Sequence, residues 1–175
     1  APLADLTQLN ELNLDGNHVV DVTSLAVLPQ NLFLLSLSDN QIVDVTPLAS
    51  LTQLGVLDLD ENQIVDVAPL AALQLVELNL GGNQIVDVAP LAALTQLQWL
   101  WLGGNQIADV APLAALTQNL FLLSLEKNQI ADITPLAPLT NLQTLNLWGN
   151  PLVDHNCPVE PISICVYDQS PPILE

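Results

Sequence analysis

Positive charge is nearly missing from this chain. One basic residue, Lys127, stands against nineteen acids, for a formal net charge of −18 and a pI near 4.1. Affinity for nucleic acid or an anionic membrane surface comes from Lys and Arg displacing counterions from phosphates, so neither is expected as a partner. A basic or amphipathic protein is. Methionine is absent and aromatics make up 3% of the residues, although 50% are hydrophobic. A core restricted to Leu, Val, Ala and Ile points to one unit copied many times. Asn, Asp or Gln interrupts every Leu-rich segment before it reaches the length of a membrane-spanning helix, so no membrane insertion is expected. Catalytic patterns are lacking too. There is no Ser-His-Asp set and no Gly-rich phosphate loop, and neither His18 nor His155 has a catalytic neighbour within its repeat. No enzyme activity and no cofactor is expected.

The chain has a period. Asn17, Asn40, Asn62, Asn83, Asn105, Asn128 and Asn150 lie 23, 22, 21, 22, 23 and 22 residues apart. Three leucines precede each Asn in the frame L-x-x-L-x-L-x-x-N, as in Leu97, Leu100 and Leu102 before Asn105. The central L-x-L alternates with the period of a strand, which puts leucines inward and the intervening residues outward. Stacked copies then pair as a parallel sheet. Asn suits the point where the chain leaves the strand, because its short side chain both donates to and accepts from the backbone. The expected fold is an α/β solenoid: a right-handed leucine-rich repeat superhelix with a parallel concave sheet of seven strands and short 3₁₀ or irregular convex segments. The expected division is repeats over 1–150 and a C-terminal cap over 151–175.

A return leg follows each Asn. In the third and fourth copies it is the same from Asn62 to Leu73 and from Asn83 to Leu94, with Ile64, Val67, Leu70 and Leu73 expected inward. Asp66 and its equivalents Asp21, Asp44, Asp87, Asp109, Asp132 and Asp154 stand where a carboxylate accepts the free N–H groups of a tight turn. Pro47, Pro69, Pro90, Pro112 and Pro135 fit the first position of that turn, which requires no N–H. Stacked carboxylates are oxygen ligands for calcium, but calcium loops gather several acids and each loop here supplies one, so no metal is expected.

Outward strand positions are not needed by the fold, so function is expected there. All three tryptophans fall in these lanes: Trp99 and Trp101 on one strand, and Trp148 in the lane after the last strand leucine. Strand spacing of about 4.8 Å sets Leu122 beside Trp99, while Gly81, Gly82, Gly103 and Gly104 leave open ground nearby. An aromatic patch of Trp99, Trp101, Trp148 and Leu122, rimmed by Asp58, Asp60, Glu61, Glu77 and Glu126, reads as a hot spot for a basic or amphipathic protein. The bland reading is that the tryptophans only cover grooves between small neighbours. Two other readings stand beside protein binding. One is carbohydrate recognition, with Trp99 and Trp101 stacking on sugar faces. The other is an engineered repeat scaffold, against which the uneven repeat lengths count, including the extra residue at Gln30-Asn31 and Gln118-Asn119.

Repeats written N-Q-I-x-D-V-x-P-L-A-x-L closely resemble bacterial internalin-type leucine-rich repeats, and the related repeats of the protein phosphatase 1 regulatory type, over residues 1 to about 156. The tail from Gly149 through Cys157-Pro-Val to Ile-Cys165 is similar to the C-terminal cap of cyanobacterial leucine-rich repeat proteins. The resemblance implies a protein-binding module without catalytic activity. The chain departs from internalins in lacking a helical N-terminal cap, since residues 2–9 copy the return leg at 47–54. It is therefore expected to begin inside a repeat, with further repeats upstream or another chain covering that end. Cys157 and Cys165 are read as a disulfide in preference to free thiols, fitting an exported protein. Zinc with His155 is disfavoured because paired Cys-x-x-Cys spacing is missing. A monomer is expected, secreted or on the cell surface rather than cytoplasmic.

So acidic a composition also suggests solvation in a salty habitat, since like charges keep a protein soluble while repelling one another. If so, thermal stability rises with added salt. A melting temperature that stays constant across a salt titration removes this reading.

Overall fold

A computed structural model describes residues 7–29 and 31–167. The repeat copied at 2–9 therefore lies mostly outside the described residues, as do Gln30 and the end of the cap from 168. Eight strands form one parallel sheet in sequence order: β1 (Glu11–Asn13), β2 (Leu34–Ser36), β3 (Val56–Asp58), β4 (Glu77–Asn79), β5 (Trp99–Trp101), β6 (Leu122–Ser124), β7 (Thr144–Asn146) and β8 (Cys165–Val166). Seven come from the L-x-x-L-x-L frame. The eighth belongs to the cap, where Cys165 and Val166 pair with Leu145 and Asn146 of β7. No leucine frame announces β8, so the sequence pattern misses it. The sheet thus runs across the division at residue 150.

The register brings each central leucine beside the next, Leu12 to Leu35, Leu57, Leu78, Leu100, Leu123 and Leu145. From Leu35 onward these are wholly buried, and they join the return-leg leucines, isoleucines and valines in one core. Ile64, Val67, Leu70 and Leu73 all point into it.

Return legs are 3₁₀ turns, such as Thr46–Ser50, Ala68–Ala72, Ala89–Ala93 and Ala111–Ala115, and no α-helix occurs among the described residues. Their chemistry is clear in the second repeat. Asp44 Oδ1 accepts the Thr46 amide at 2.8 Å, Pro47 has no N–H, and the Leu48 amide reaches Val45 O at 3.0 Å. No donor at the turn's start is left over. Proline occupies the second residue of the turn, not the first as expected, because the aspartate has taken the first amide.

Neighbouring repeats are stapled by the asparagines. Asn83 Nδ2 donates to Leu80 O and Gly81 O of its own repeat and to Leu59 O of the preceding one, at 2.9–3.1 Å, while its Oδ1 accepts the Ile64 amide at 2.9 Å. The same set recurs at Asn40, Asn62, Asn105 and Asn128, all buried. Each asparagine follows a residue with positive φ: Gly16, Asp39 (52°), Glu61 (49°), Gly82 (60°), Gly104, Lys127 (53°) and Gly149. This left-handed step turns the chain so that the next side chain points inward. It costs a non-glycine residue on the order of 1 kcal/mol.

Replacing Asn83 by Ala leaves the Ile64 amide without its acceptor in the core and reduces Leu59 O and Leu80 O to their bonds from Asn62 and Asn105, and is expected to cost about 3 kcal/mol. At exposed Asn17, whose described bonds go only to Leu14 O and Asp15 O, the same change should cost under about 1 kcal/mol. Urea unfolding of both variants measures the contrast. Equal losses would mean that the ladder does not bind repeats together.

Candidate functional site

The pleat decides which side chains leave the sheet. Leu100 is buried, so Trp99 and Trp101 emerge on the opposite face of β5, the former 36% exposed and the latter partly covered. Glu77 lies directly beside Trp99 on one side and Leu122 on the other, while Trp101 sits between Asn79 and Ser124. Trp99, Trp101, Glu77 and Leu122 are thus brought together. Trp148 is not part of that cluster. It follows β7, two strands away, where the Lys127 ammonium lies 5.0 Å from its ring centroid. The chain's one basic residue is engaged in a cation–π contact that its sequence position, just before Asn128, did not announce.

The glycines divide into two kinds. Gly82 and Gly104 have positive φ and serve the turn before the asparagine, so they belong to the architecture. Gly81 and Gly103 form a floor, but it is not bare. A Cβ on Gly81 would come 2.3 Å from Asp60 Oδ1, and one on Gly103 the same distance from Glu126 Oε1. The two carboxylates lean inward from opposite sides across adjacent glycines, beside the lane of Trp101. Glu126 is fixed there by the Ser124 hydroxyl and by Asn146 Nδ2, which both donate to Oε2.

Charge in this lane is held under tension. Burial pushes the Asp58 carboxyl up from its ordinary value, although the Asp60 amide donates to its Oδ1 at 3.0 Å. Asp60 is also pushed up, first by burial and then by repulsion from Asp58, Glu61 and Glu126. The ladder aspartates behave in the opposite way. Asp21, Asp44 and Asp132 are fully exposed, and bonds from the Thr23, Thr46 and Thr134 side chains and amides lower them. One set of acids completes turns; for the other, burial and like charges outweigh the bonds that favour its charge.

The cap is bridged. Cys157 and Cys165 form a disulfide with a Cα–Cα distance of 5.8 Å, and His155 packs edge-on against Tyr167 at 5.3 Å between ring centroids. Among the described residues no three His, Cys, Asp or Glu side chains are grouped to hold a metal ion, and no helix is long and apolar enough to cross a membrane. A cavity of about 390 Å³ lies between the 3₁₀ turn at Thr134–Leu136 and the cap, lined by Ala131, Ile133, Val153, Cys157 and Pro158 among others, and includes none of the sheet-face residues.

Comparison with known proteins places this geometry. The leucine-rich repeat pattern described as "Leucine Rich repeats (2 copies)" matches residues 30–72, 74–115 and 118–157. No curated protein sequence matches the chain. Among solved structures, an internalin C2 from Listeria monocytogenes is 40% identical over 93% of this chain and 71% of its own, with a TM-score of 0.84. An internalin F from the same species is 38% identical over 85% of this chain and 50% of its own, with a TM-score of 0.66. The ectodomain of the Arabidopsis thaliana receptor kinase GASSHO1/SCHENGEN3, solved in complex with Casparian strip integrity factor 2, is 27% identical over 79% of this chain and 18% of its own, with a TM-score of 0.68.

Raised carboxyls imply a test. A carboxyl whose folded pKa exceeds its unfolded value binds protons more tightly when folded, so its charged form opposes folding above that pKa. Asp60→Asn is therefore expected to raise the melting temperature modestly at neutral pH. The gain should fade as pH falls through the raised pKa, where the wild-type carboxyl is itself neutral. A loss of stability at pH 7 would show that the charge is needed by the fold. Leucine-rich repeat proteins generally mediate protein–protein interaction and are typically non-catalytic, and on the match of both sequence pattern and structure this chain belongs to the leucine-rich repeat family, with bacterial internalins among its relatives.

Proposed function

We propose that this protein is a non-catalytic, monomeric binding module that takes a basic or amphipathic protein on its concave, sheet-lined face. Trp99, Trp101 and Leu122 supply the apolar contact, Glu77, Asp58, Asp60 and Glu126 the acidic rim, and Trp148 with Lys127 one end. The observation that carries the reading is the pair of raised carboxyls, Asp58 and Asp60, two strands from the exposed tryptophans. Carboxyls whose charge is disfavoured by burial and like charges cluster at functional sites. An ammonium or guanidinium delivered between Asp60 and Glu126 would relieve the repulsion and meet the Trp101 ring.

The fold relative solved in complex with Casparian strip integrity factor 2 supports a binding role. Self-repulsion at a net charge of −18 supports the monomer.

The test is recovery of partners from the source organism with wild type and with a Trp99→Ala, Trp101→Ala double variant, followed by titration of the partner recovered. The double variant should lose about a hundredfold or more in affinity, the scale of two aromatic hot-spot residues. Equal recovery by both would remove the aromatic patch as the site. Binding on a glycan array that vanishes in Trp101→Ala would replace the protein partner by a carbohydrate.

A further inference from the structure

The sheet face is not the surface with the longest apolar row. Three residues after each ladder asparagine the chain carries an apolar side chain that points to solvent: Val20, Val43, Val65, Val86, Ala108, Ala131 and Val153. The four valines at the start of this lane are 52–57% exposed, far more than any core residue. Backbone bonds such as Gln63 N to Ile42 O and Gln84 N to Ile64 O, both 2.9 Å, hold this flank of the solenoid in step, so the valines recur in a row, one per repeat. A β-branched side chain suits this non-helical segment, but that does not explain an apolar one, because threonine is β-branched too and would be cheaper in water. Threonine is common elsewhere in the chain, yet this lane has none.

Beside the valines runs the aspartate lane, one residue further along each repeat and exposed throughout. Each carboxylate is fixed in place by accepting an amide of the 3₁₀ turn, for example Asp66 from Ala68 at 2.8 Å and Asp87 from Ala89 at 2.8 Å. Neighbouring aspartates also repel, as Asp21 does Asp44. The flank is therefore an apolar rail with a fixed anionic rail alongside it.

We infer that this valine and aspartate flank is a second docking surface, separate from the sheet face, and that its occupant is a cationic amphipathic helix lying along the solenoid axis. Charge selects the sign. A second copy of this chain would set aspartate rails near each other, whereas a helix with lysine or arginine along one edge neutralises them. Spacing selects the helix. Its turns rise about 5.4 Å, close to the repeat spacing of about 4.8 Å, so over four valines the two rows drift apart by only about 2 Å. An extended strand presents same-face side chains about 6.6 Å apart and loses register by the third valine.

The probe is a synthetic helix of about five turns with leucine on one face and lysine along one edge, titrated into the full chain. Valine methyl signals and tryptophan indole N–H signals are followed together by NMR. The proposal expects the Val43, Val65 and Val86 methyls to shift while the indoles stay. It expects a Val43→Thr, Val65→Thr, Val86→Thr variant, which keeps the β-branch and its fold, to bind at least about tenfold more weakly. Asp66→Asn with Asp87→Asn keeps the amide acceptors and should also weaken binding. A peptide of the same composition in scrambled order should bind weakly to wild type. Indole shifts without valine shifts, or equal binding by the scrambled peptide or by the threonine variant, would overturn the proposal; the first of these results would leave the concave reading standing.

Discussion

One hydrogen-bond set governs this molecule: the buried asparagine that ties its own strand exit to the carbonyl and amide of the repeat before it. An apolar side chain at Asn83 would leave the Ile64 amide without its partner in a dry core and take from the Leu59 carbonyl the donor that reaches it from the next repeat, leaving only Asn62. That requirement imposes the period, since each copy must return an amide acceptor at the same depth and height. It also imposes the left-handed residue before each asparagine. Where Gly82 gives way to Glu61 or Lys127, the fold accepts the strain rather than lose the step.

With inward positions committed to leucine and asparagine, the remaining chemistry is confined to two surfaces. Aspartate illustrates the division. On the flank, Asp44 is an acceptor for a turn and its charge is favoured. On the sheet face, burial and like charges disfavour the charge of Asp60. The residue type is the same and the role opposite. Architecture explains the first; the second is the charge that the proposed cationic partner would meet. The concave reading rests on that contrast more than on the tryptophans, one of which, Trp148, is already covered by Lys127.

Much of this was legible in the sequence because the repeat is a local, periodic code. The leucine frame placed seven strands, the asparagines marked their exits, and the proline-bearing legs read as 3₁₀ turns. What escaped was whatever the code does not repeat. β8 has no leucine frame and exists because β7 offers an edge that the disulfide-bridged cap can pair with. The glycine floor looked open because a side chain's lean, here that of Asp60 and Glu126, is set by neighbours in other repeats. The valine lane was visible as letters, but apolar residues are assigned to cores by default, and only the exposure of Val43 and Val65 separated them from Ile42 and Ile64.

Native-state hydrogen exchange at the amides of Ile42, Ile64, Ile85 and Ile107 tests the asparagine ladder most directly, because each donates to the Oδ1 of the following repeat's asparagine. If the ladder binds the repeats into one unit, these amides exchange only through global unfolding, with protection close to the full stability of the chain. Protection far below that stability, with these amides exchanging through local opening, would contradict the account.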